Sequence, residues 1–285
     1  MKYVVTGGNG FLGRHVNTEL EHAGHEVISL DLRSGSDERH IAVDLGSVTL
    51  KHLGDLIPEV DWIIHLASVV NFTPTFDRKL FEANVLGTLK IAELAREKNA
   101  KVIFISSVAV HPSGDTSLGA SSPINPSQPY GLSKWLGEQI LESLGVPAVV
   151  VRLAGIIGAY GPAHLRLNTA IRDAALNGTV PTITGKGNGR RNYIYVRDAA
   201  RAIRTISEES IGGLHYYGGP EPITIAEMAT QICSTFLGGA DPHFSNGAEA
   251  PDQLVEVSRQ LPGPRSFRLA LEDMQREYNA NRVSF

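Results

Sequence analysis

Residues 2 to 13, KYVVTGGNGFLG, run from a short apolar strand straight into a glycine loop, and apolar residues at helical spacing continue from Phe11 to His22. No other stretch restricts the fold so much. Gly7 and Gly10 let the backbone turn tightly and come close to a bound group, and Gly13 lets the helix pack against the strand. The loop can be aligned as GxGxxG from Gly8 or as GxxGxxG from Gly7. The helix start presents free N–H groups and a partial positive charge, so an anion is expected there, beside Phe11 and Leu12.

Short runs rich in Val and Ile recur at Tyr3 to Val5, Val27 to Leu30, Trp62 to Leu66, Val102 to Ile105 and Ala148 to Leu153. Helical spacing lies between them at Phe11 to His22, Leu80 to Glu97 and Tyr130 to Leu144. Strand and helix in alternation imply right-handed crossovers, hence an α/β fold with a doubly wound parallel sheet of the Rossmann kind. Beyond Gly155 the pattern loosens into Gly- and Pro-rich stretches. Helices are expected at Ala163 to Asn177, Val196 to Ser207, Thr224 to Leu237 and Ser266 to Tyr278, with one returning strand at Leu214 to Tyr217. The expected division is a dinucleotide-binding domain of residues 1–157 and 193–219, and a small discontinuous substrate lobe of residues 158–192 and 220–285. That lobe should sit above the C-terminal edge of the sheet, where open α/β folds bind ligands.

Composition removes several classes of function. The chain has 285 residues with 42% hydrophobic and 20% charged, which is ordinary for a globular protein. With 26 Lys+Arg against 30 Asp+Glu, the formal net charge of -4 provides no field to gather nucleic acid or an anionic membrane. The longest apolar run, Ala148 to Gly158, is broken by Arg152 and is too short to span a bilayer. The opening MKYVVTGGNG has no apolar core and cleavage site of a secretory leader. A single cysteine, Cys233, forms no internal disulfide, so a cytoplasmic location is expected. The 10 His residues show no metal-ligand spacing, and no bound metal is expected. Trp62 and Trp135 read as packing residues.

Asp31 ends the second strand, where a carboxylate accepts hydrogen bonds from an adenosine ribose, so the loop reads as a dinucleotide site. The charge of Asp31 favours NAD over NADP; Arg33, two residues on, is the competing partner for a 2′-phosphate. Asp44, in Val43-Asp44-Leu45 after the next short strand, is a candidate for the adenine edge together with Leu45. A solvated turn carboxylate is the plainer reading of Asp44. Tyr130 and Lys134 are spaced i, i+4 at the start of a helix, which puts phenol and ammonium on one face. An ammonium there should stabilise phenolate and draw its pKa toward neutrality, as a general acid/base requires, and the same Lys134 can hold the nicotinamide ribose. Upstream, the strand Val102 to Ile105 ends in Ser106 and Ser107, whose hydroxyls should reach the crevice above the sheet edge.

Taken as a set, TGGNGFLG, His65-Leu66-Ala67, Asn84-Val85-Leu86-Gly87-Thr88, Ser106-Ser107 and Tyr130 to Lys134 resemble the extended short-chain dehydrogenase/reductase family, in its branch of NAD-dependent sugar-nucleotide epimerases, dehydratases and reductases. Gly189 to Val196 resembles that family's G-x-x-R-D-[YF]-[IV]-x-V segment, while almost nothing after residue 220 resembles the family. The resemblance implies Tyr130 as acid/base, Lys134 as its partner, and Ser107 rather than Ser106 as the hydroxyl that bonds the reacting oxygen. It implies Leu66 and Ala67 beside the cofactor, Asn84 as a residue shaping the site, and Arg191 as a ligand for a substrate phosphate, with Arg190 as a possible second. It also implies a nucleotide-sugar substrate and a homodimer built from the helices Leu80 to Glu97 and Tyr130 to Leu144.

Departures from the family pattern narrow the reaction. His111-Pro112 replaces a Tyr-Gly pair, and Gly155 stands where an Asn contacts the substrate diphosphate. Val108 and Ala109 stand where 4,6-dehydratases carry acids, so elimination of water is not expected. The expected activity is therefore NAD-dependent epimerisation by transient hydride transfer. A ketoreductase or dehydrogenase releasing product after one transfer uses the same residues, and a non-catalytic NAD-binding regulator has no need of a tuned phenol.

Overall fold

The computed structural model describes residues 1–33, 39–57, 59–114 and 117–282. The Val- and Ile-rich runs pair into one seven-stranded sheet: β1 (Lys2–Thr6), β2 (Glu26–Asp31), β3 (His40–Ala42), β4 (Trp62–His65), β5 (Lys101–Ser107), β6 (Ala148–Leu153) and β7 (Gly213–Tyr217). The spatial order is β7-β6-β5-β4-β1-β2-β3, and every pairing is parallel. This is a Rossmann-like doubly wound α/β fold. Strand order reverses between β1 and β4, and a crevice opens at such a reversal because the connections leave in opposite directions.

Buried strand residues alternate between two cores. Val4, Ile63, Val102 and Phe104 face α2 (Leu50–Leu56), the α4 helix (Gly87–Lys98) and α5 (Pro129–Ser143). Tyr3, Val5, Trp62, Ile64, Ile103 and Ile105 face α1 (Phe11–His22) and α7 (Val196–Glu208). Each fully buried aliphatic side chain contributes about 1.5–3 kcal/mol against chain entropy. The second core also takes in α6 (Arg166–Asn177), α8 (Ile225–Phe236) and α9 (Phe267–Arg282), so the C-terminal helices share apolar packing with the sheet.

Outside the sheet lie short strand pairs: Ser117–Leu118 with Leu254–Val255, Ile156–Ile157 with Ile194–Tyr195, Thr182–Thr184 with His243–Ser245, and Arg190–Arg191 with Ile223–Thr224. The α8 helix starts with a reciprocal cap, in which Thr224 accepts from the Glu227 amide and Glu227 accepts from the Thr224 amide. Among the described residues no helix is long and apolar enough to cross a membrane.

The structure departs from periodicity in three places. The segment expected as one helix over Leu80 to Glu97 is α3 (Arg78–Phe81), a π-turn (Glu82–Leu86) and α4, with the Gly87 amide reaching back to Glu82. Asn84 lies inside that turn: Thr88 Oγ1 donates to its carbonyl at 2.5 Å, and its side chain bonds the Val69 backbone. A π-turn absorbs one extra residue without ending the helix, which side-chain spacing does not reveal. The strand before Asp44 is β3, ending at Ala42, so Val43 to Leu45 already belong to the loop. α2 is too short to show periodicity and rests on Thr49, whose side chain accepts from the His52 amide at 3.2 Å.

Candidate active site

A cavity of about 680 Å³ opens over the C-terminal ends of the strands. Gly7, Gly10, Phe11, Leu12, Gly13, Asp31, Asp44, Leu45, Leu66, Ala67, Ser107, Tyr130, Lys134 and Arg191 all line it. The glycine end is built by close approach. Gly7 has φ +70°, and a Cβ there would sit 2.8 Å from the Ala67 amide nitrogen. A Cβ on Gly13 would sit 2.1 Å from the Gly7 carbonyl oxygen, so α1 can rest on the loop only as glycine.

The two acids at this end differ. Asp31 Oδ2 accepts from the Asn9 amide at 3.0 Å, which ties the end of β2 to the glycine loop. Asn9 Nδ2 in turn donates to the Arg33 carbonyl at 2.8 Å. Arg33 itself is exposed and stands outside the cavity lining. Asp44 uses both oxygens in its own turn, accepting from the Gly46 amide at 2.9 Å and the Ser47 hydroxyl at 3.0 Å. The plainer reading of Asp44 thus has a concrete basis, although its side chain still borders the cavity.

α5 carries Tyr130 and Lys134 and lies hard against β5 because two glycines admit it. A Cβ on Gly137 would come within 2.6 Å of the Phe104 ring, and one on Gly131 within 2.0 Å of the Ala109 carbonyl. Tyr130 is buried with the Ser107 side chain close enough to favour its phenolate; Ser107 Oγ accepts from the Ala109 amide at 3.1 Å. Phe72 packs edge-on against Tyr130 at 5.3 Å between ring centres and lies 6.4 Å from the His164 ring, so the loop after β4 and the segment before α6 meet over the phenol. Lys134 is buried, donates from Nζ to the Ile105 carbonyl at 2.9 Å and lies 5.1 Å from the Phe104 ring centre.

Here the expected electrostatics are overturned. Burial pushes the Tyr130 phenol up to about 12, with the Ser107 hydrogen bond pulling the other way. Burial pushes Lys134 down to about 8, opposed by Glu138. The expectation that Lys134 draws the phenol toward neutrality fails because losing water penalises the phenolate more than its neighbours stabilise it. Behind the pair, His65 is held neutral by burial and by the Lys134 charge, its pKa pushed down to about 3. Its neighbours agree with one proton on Nε2. Thr6 Oγ1 lies 2.6 Å from Nδ1 and accepts from the Ala67 amide, while Thr88 Oγ1, 3.0 Å from Nε2, donates to the Asn84 carbonyl.

At the far end, Arg191 Nη1 donates to the carbonyls of Arg190 (2.8 Å) and Pro251. Arg190 does not join it. Its guanidinium is bound to Asp252, Nη2 to Oδ2 at 2.6 Å, and it stands outside the cavity lining. Gly155 also lines the cavity, and a Cβ there would meet the Tyr193 ring at 2.5 Å, so the aromatic ring fills the space beside it. Asn84 is buried behind the wall, accepting from the Val69 amide at 2.7 Å and donating to Ser133 Oγ at 3.0 Å. Sequence reading missed Phe72, His164, Tyr193, Gln253 and Val255 as lining residues. Of these only Tyr193 carried a signal, in the segment from Gly189 to Val196; Phe72, His164 and Gln253 sit on loops and Val255 on a two-residue strand, none with a pattern.

Comparison with known proteins agrees with this architecture. The profile of the NAD dependent epimerase/dehydratase family matches residues 3–217. A putative UDP-glucose 4-epimerase of Methanocaldococcus jannaschii is 30% identical over 218 residues, covering 70% of this chain and 71% of that one. UDP-glucuronic acid decarboxylase 1 of Danio rerio is 28% identical over 291 residues, covering 95% of this chain and 68% of the relative. The crystal structure of UDP-N-acetylglucosamine 4-epimerase from Bacillus cereus superposes with a TM-score of 0.86 at 22% identity, covering 98% of this chain and 99% of that one. A second Bacillus cereus structure, UDP-glucuronic acid 4-epimerase in complex with UDP-glucuronic acid and NAD, superposes with a TM-score of 0.83 at 20% identity, covering 99% and 100%. With its profile match running through every strand of the sheet, the chain belongs to the NAD-dependent epimerase/dehydratase family.

Proposed function

We propose that this chain is an NAD-dependent epimerase of a nucleotide-activated sugar, with Tyr130 as its acid/base. The observation that carries the proposal is the single cavity in which the glycine loop and Asp31 meet Ser107, Tyr130 and Lys134. The residues fit NAD: a cradle that any Cβ would fill, a helix start beside it, and the Asp31 carboxylate at the end of β2. Gly7, Gly10 and Gly13 would receive the pyrophosphate with Phe11 and Leu12. Asp31 would take the adenosine ribose, Leu45, Leu66 and Ala67 would flank the cofactor, and Lys134 would hold the nicotinamide ribose. When bound, NAD supplies a nicotinamide ring that takes up and gives back a hydride.

The protein's own part is proton handling. With its phenol pushed up to about 12, Tyr130 carries its proton at neutral pH and is set to donate it to a sugar oxygen that gains charge. Taking a proton from the sugar hydroxyl requires the phenolate, which Lys134 and Ser107 would have to stabilise against the effect of burial. Ser107 bonds the same sugar oxygen. Residues 108 and 109 offer no carboxyl group, so this chain has no acid there to eliminate water. A relative named as a UDP-glucose 4-epimerase supports the nucleotide-sugar class, with residues 158–192 and 220–285 as the substrate lobe. Exposed Phe81, Leu86 and Leu132 lie on neighbouring helical turns and support a homodimer through that face.

Four outcomes test this reading. Tyr130→Phe is expected to keep NAD binding while turnover falls by roughly a hundred- to ten-thousandfold; near-normal turnover on the true substrate refutes it. Calorimetry should give tighter binding of NAD than NADP, because the Asp31 charge repels a 2′-phosphate; the reverse preference transfers the role to Arg33. Arg191→Ala should raise KM for a nucleotide sugar and leave NAD affinity unchanged, whereas failure of the parent to bind any of a panel of UDP-, GDP- and dTDP-sugars ends the nucleotide-sugar reading. Sedimentation should give the mass of two chains for the parent and one for Leu132→Glu.

A further inference from the structure

Two turns along α5 from Tyr130 lies a buried carboxylate with no part in the chemistry above. Glu138 is 7% exposed and its partner Arg152, on β6, 4%. The guanidinium holds the carboxylate along one edge, Nη2 to Oε2 at 2.6 Å and Nε to Oε1 at 3.0 Å. Ser106, next to Ser107 at the end of β5, donates its hydroxyl to the same Oε1 at 2.5 Å. On the other side Arg152 Nη1 donates to the Tyr216 hydroxyl at 2.5 Å, and that oxygen lies 3.0 Å from His111 Nε2. His111 Nδ1 lies 2.8 Å from the Pro123 carbonyl, which only accepts, so the ring's proton belongs on Nδ1 and Tyr216 donates to Nε2.

Stability does not account for this arrangement, since a buried ion pair contributes no more than well-packed apolar residues of the same volume. Its position does. Glu138 stands i+4 from Lys134 on the same helix face, and Ser106 is covalently next to Ser107. We propose that Glu138, clamped by Arg152, is a positioning residue: it anchors Ser106 so that the Ser107 hydroxyl stays against Tyr130, and it is the buried counter-charge of Lys134. The inference rests on the reading of Ser107, Tyr130 and Lys134 given above. The groups around Lys134 leave that electrostatic role to Glu138. The Ile105 carbonyl and the Phe104 ring come from β5 and neutral His65 from β4, while the positive Arg152 on β6 faces Glu138. Among the described residues Glu138 is the carboxylate whose charge raises Lys134 against the effect of burial.

Removing Glu138 alone leaves Arg152 buried without a counter-charge and can unfold the protein, so the test uses Glu138→Gln with Arg152→Met, and Ser106→Ala separately. Lysine labelled at 13Cε in the full chain, with the Lys134 resonance identified by its loss in Lys134→Arg, reads the ammonium directly without cofactor or substrate. The parent should titrate near 8 and the double variant lower, since Glu138 and not Arg152 acts on the Lys134 charge. A folded double variant with an unchanged Lys134 midpoint overturns the counter-charge role. Ser106→Ala keeps the ion pair and should lower kcat by about ten- to hundredfold with KM and NAD affinity unchanged; an unchanged kcat overturns the anchoring role. The titration needs neither cofactor nor substrate and so stands apart from the epimerase reading, which nucleotide-sugar binding and turnover test.

Discussion

At Gly7 the chain turns left-handed and passes so close to the end of β4 that the Ala67 amide leaves no room for a side chain. The rest of the site depends on this contact. β1 and β4 are neighbours at the point where strand order reverses, and Thr6 holds them in register by accepting from the Ala67 amide at 3.1 Å. Because the loop lies low, the start of α1 opens onto the crevice instead of closing it. Gly13 repeats the constraint from the helix side. A Cβ at either glycine would lift loop and helix away from the strand ends and separate the Asp31 end of the cavity from the Tyr130 end.

The second governing effect is loss of water around ionisable groups. The phenol of Tyr130, moved from its ordinary value of 10.0 up to about 12, disfavours the phenolate by on the order of 3 kcal/mol. Lys134 is moved the other way by the same cause, and His65 behind it is kept neutral. One burial thus sets three protonation states: a protonated phenol, an ammonium with a weakened hold on its proton, and an uncharged imidazole locked between Thr6 and Thr88. Where a charge is kept in the interior, it is matched. Glu138 and Arg152 share a two-point contact, and Asp198 on α7 is ion-paired with both Arg201 (3.2 Å) and Arg265 (3.0 Å).

The cavity's two ends divide the chemistry by polarity. Acids and glycine amides gather at one end, while Phe72, Tyr193 and Val255 give the other an apolar wall with Arg191 at its margin. Asp252 neutralises Arg190, so among the described residues the positive charge facing the cleft at this end comes from Arg191.

Much of this was legible in the residues alone. Periodicity of two against periodicity of 3.6 located the strands and the long helices, and glycine spacing placed the loop and Asp31, because these signals depend on neighbours a few residues apart. The same locality explains the failures. The π-turn at Asn84 is held by the Val69 backbone and Ser133, and the loss of Arg190 from the site follows from Asp252, 62 residues away in the chain. His111 reads as an unexplained departure until Tyr216, 105 residues on, is seen beside it. The sequence by itself determined the order and kind of the elements and which residue types reach the sheet edge. Only the tertiary structure decided the charge state of Tyr130 and Lys134 and the partner of each arginine, since desolvation and long-range pairing exist only once distant segments have displaced the water between them.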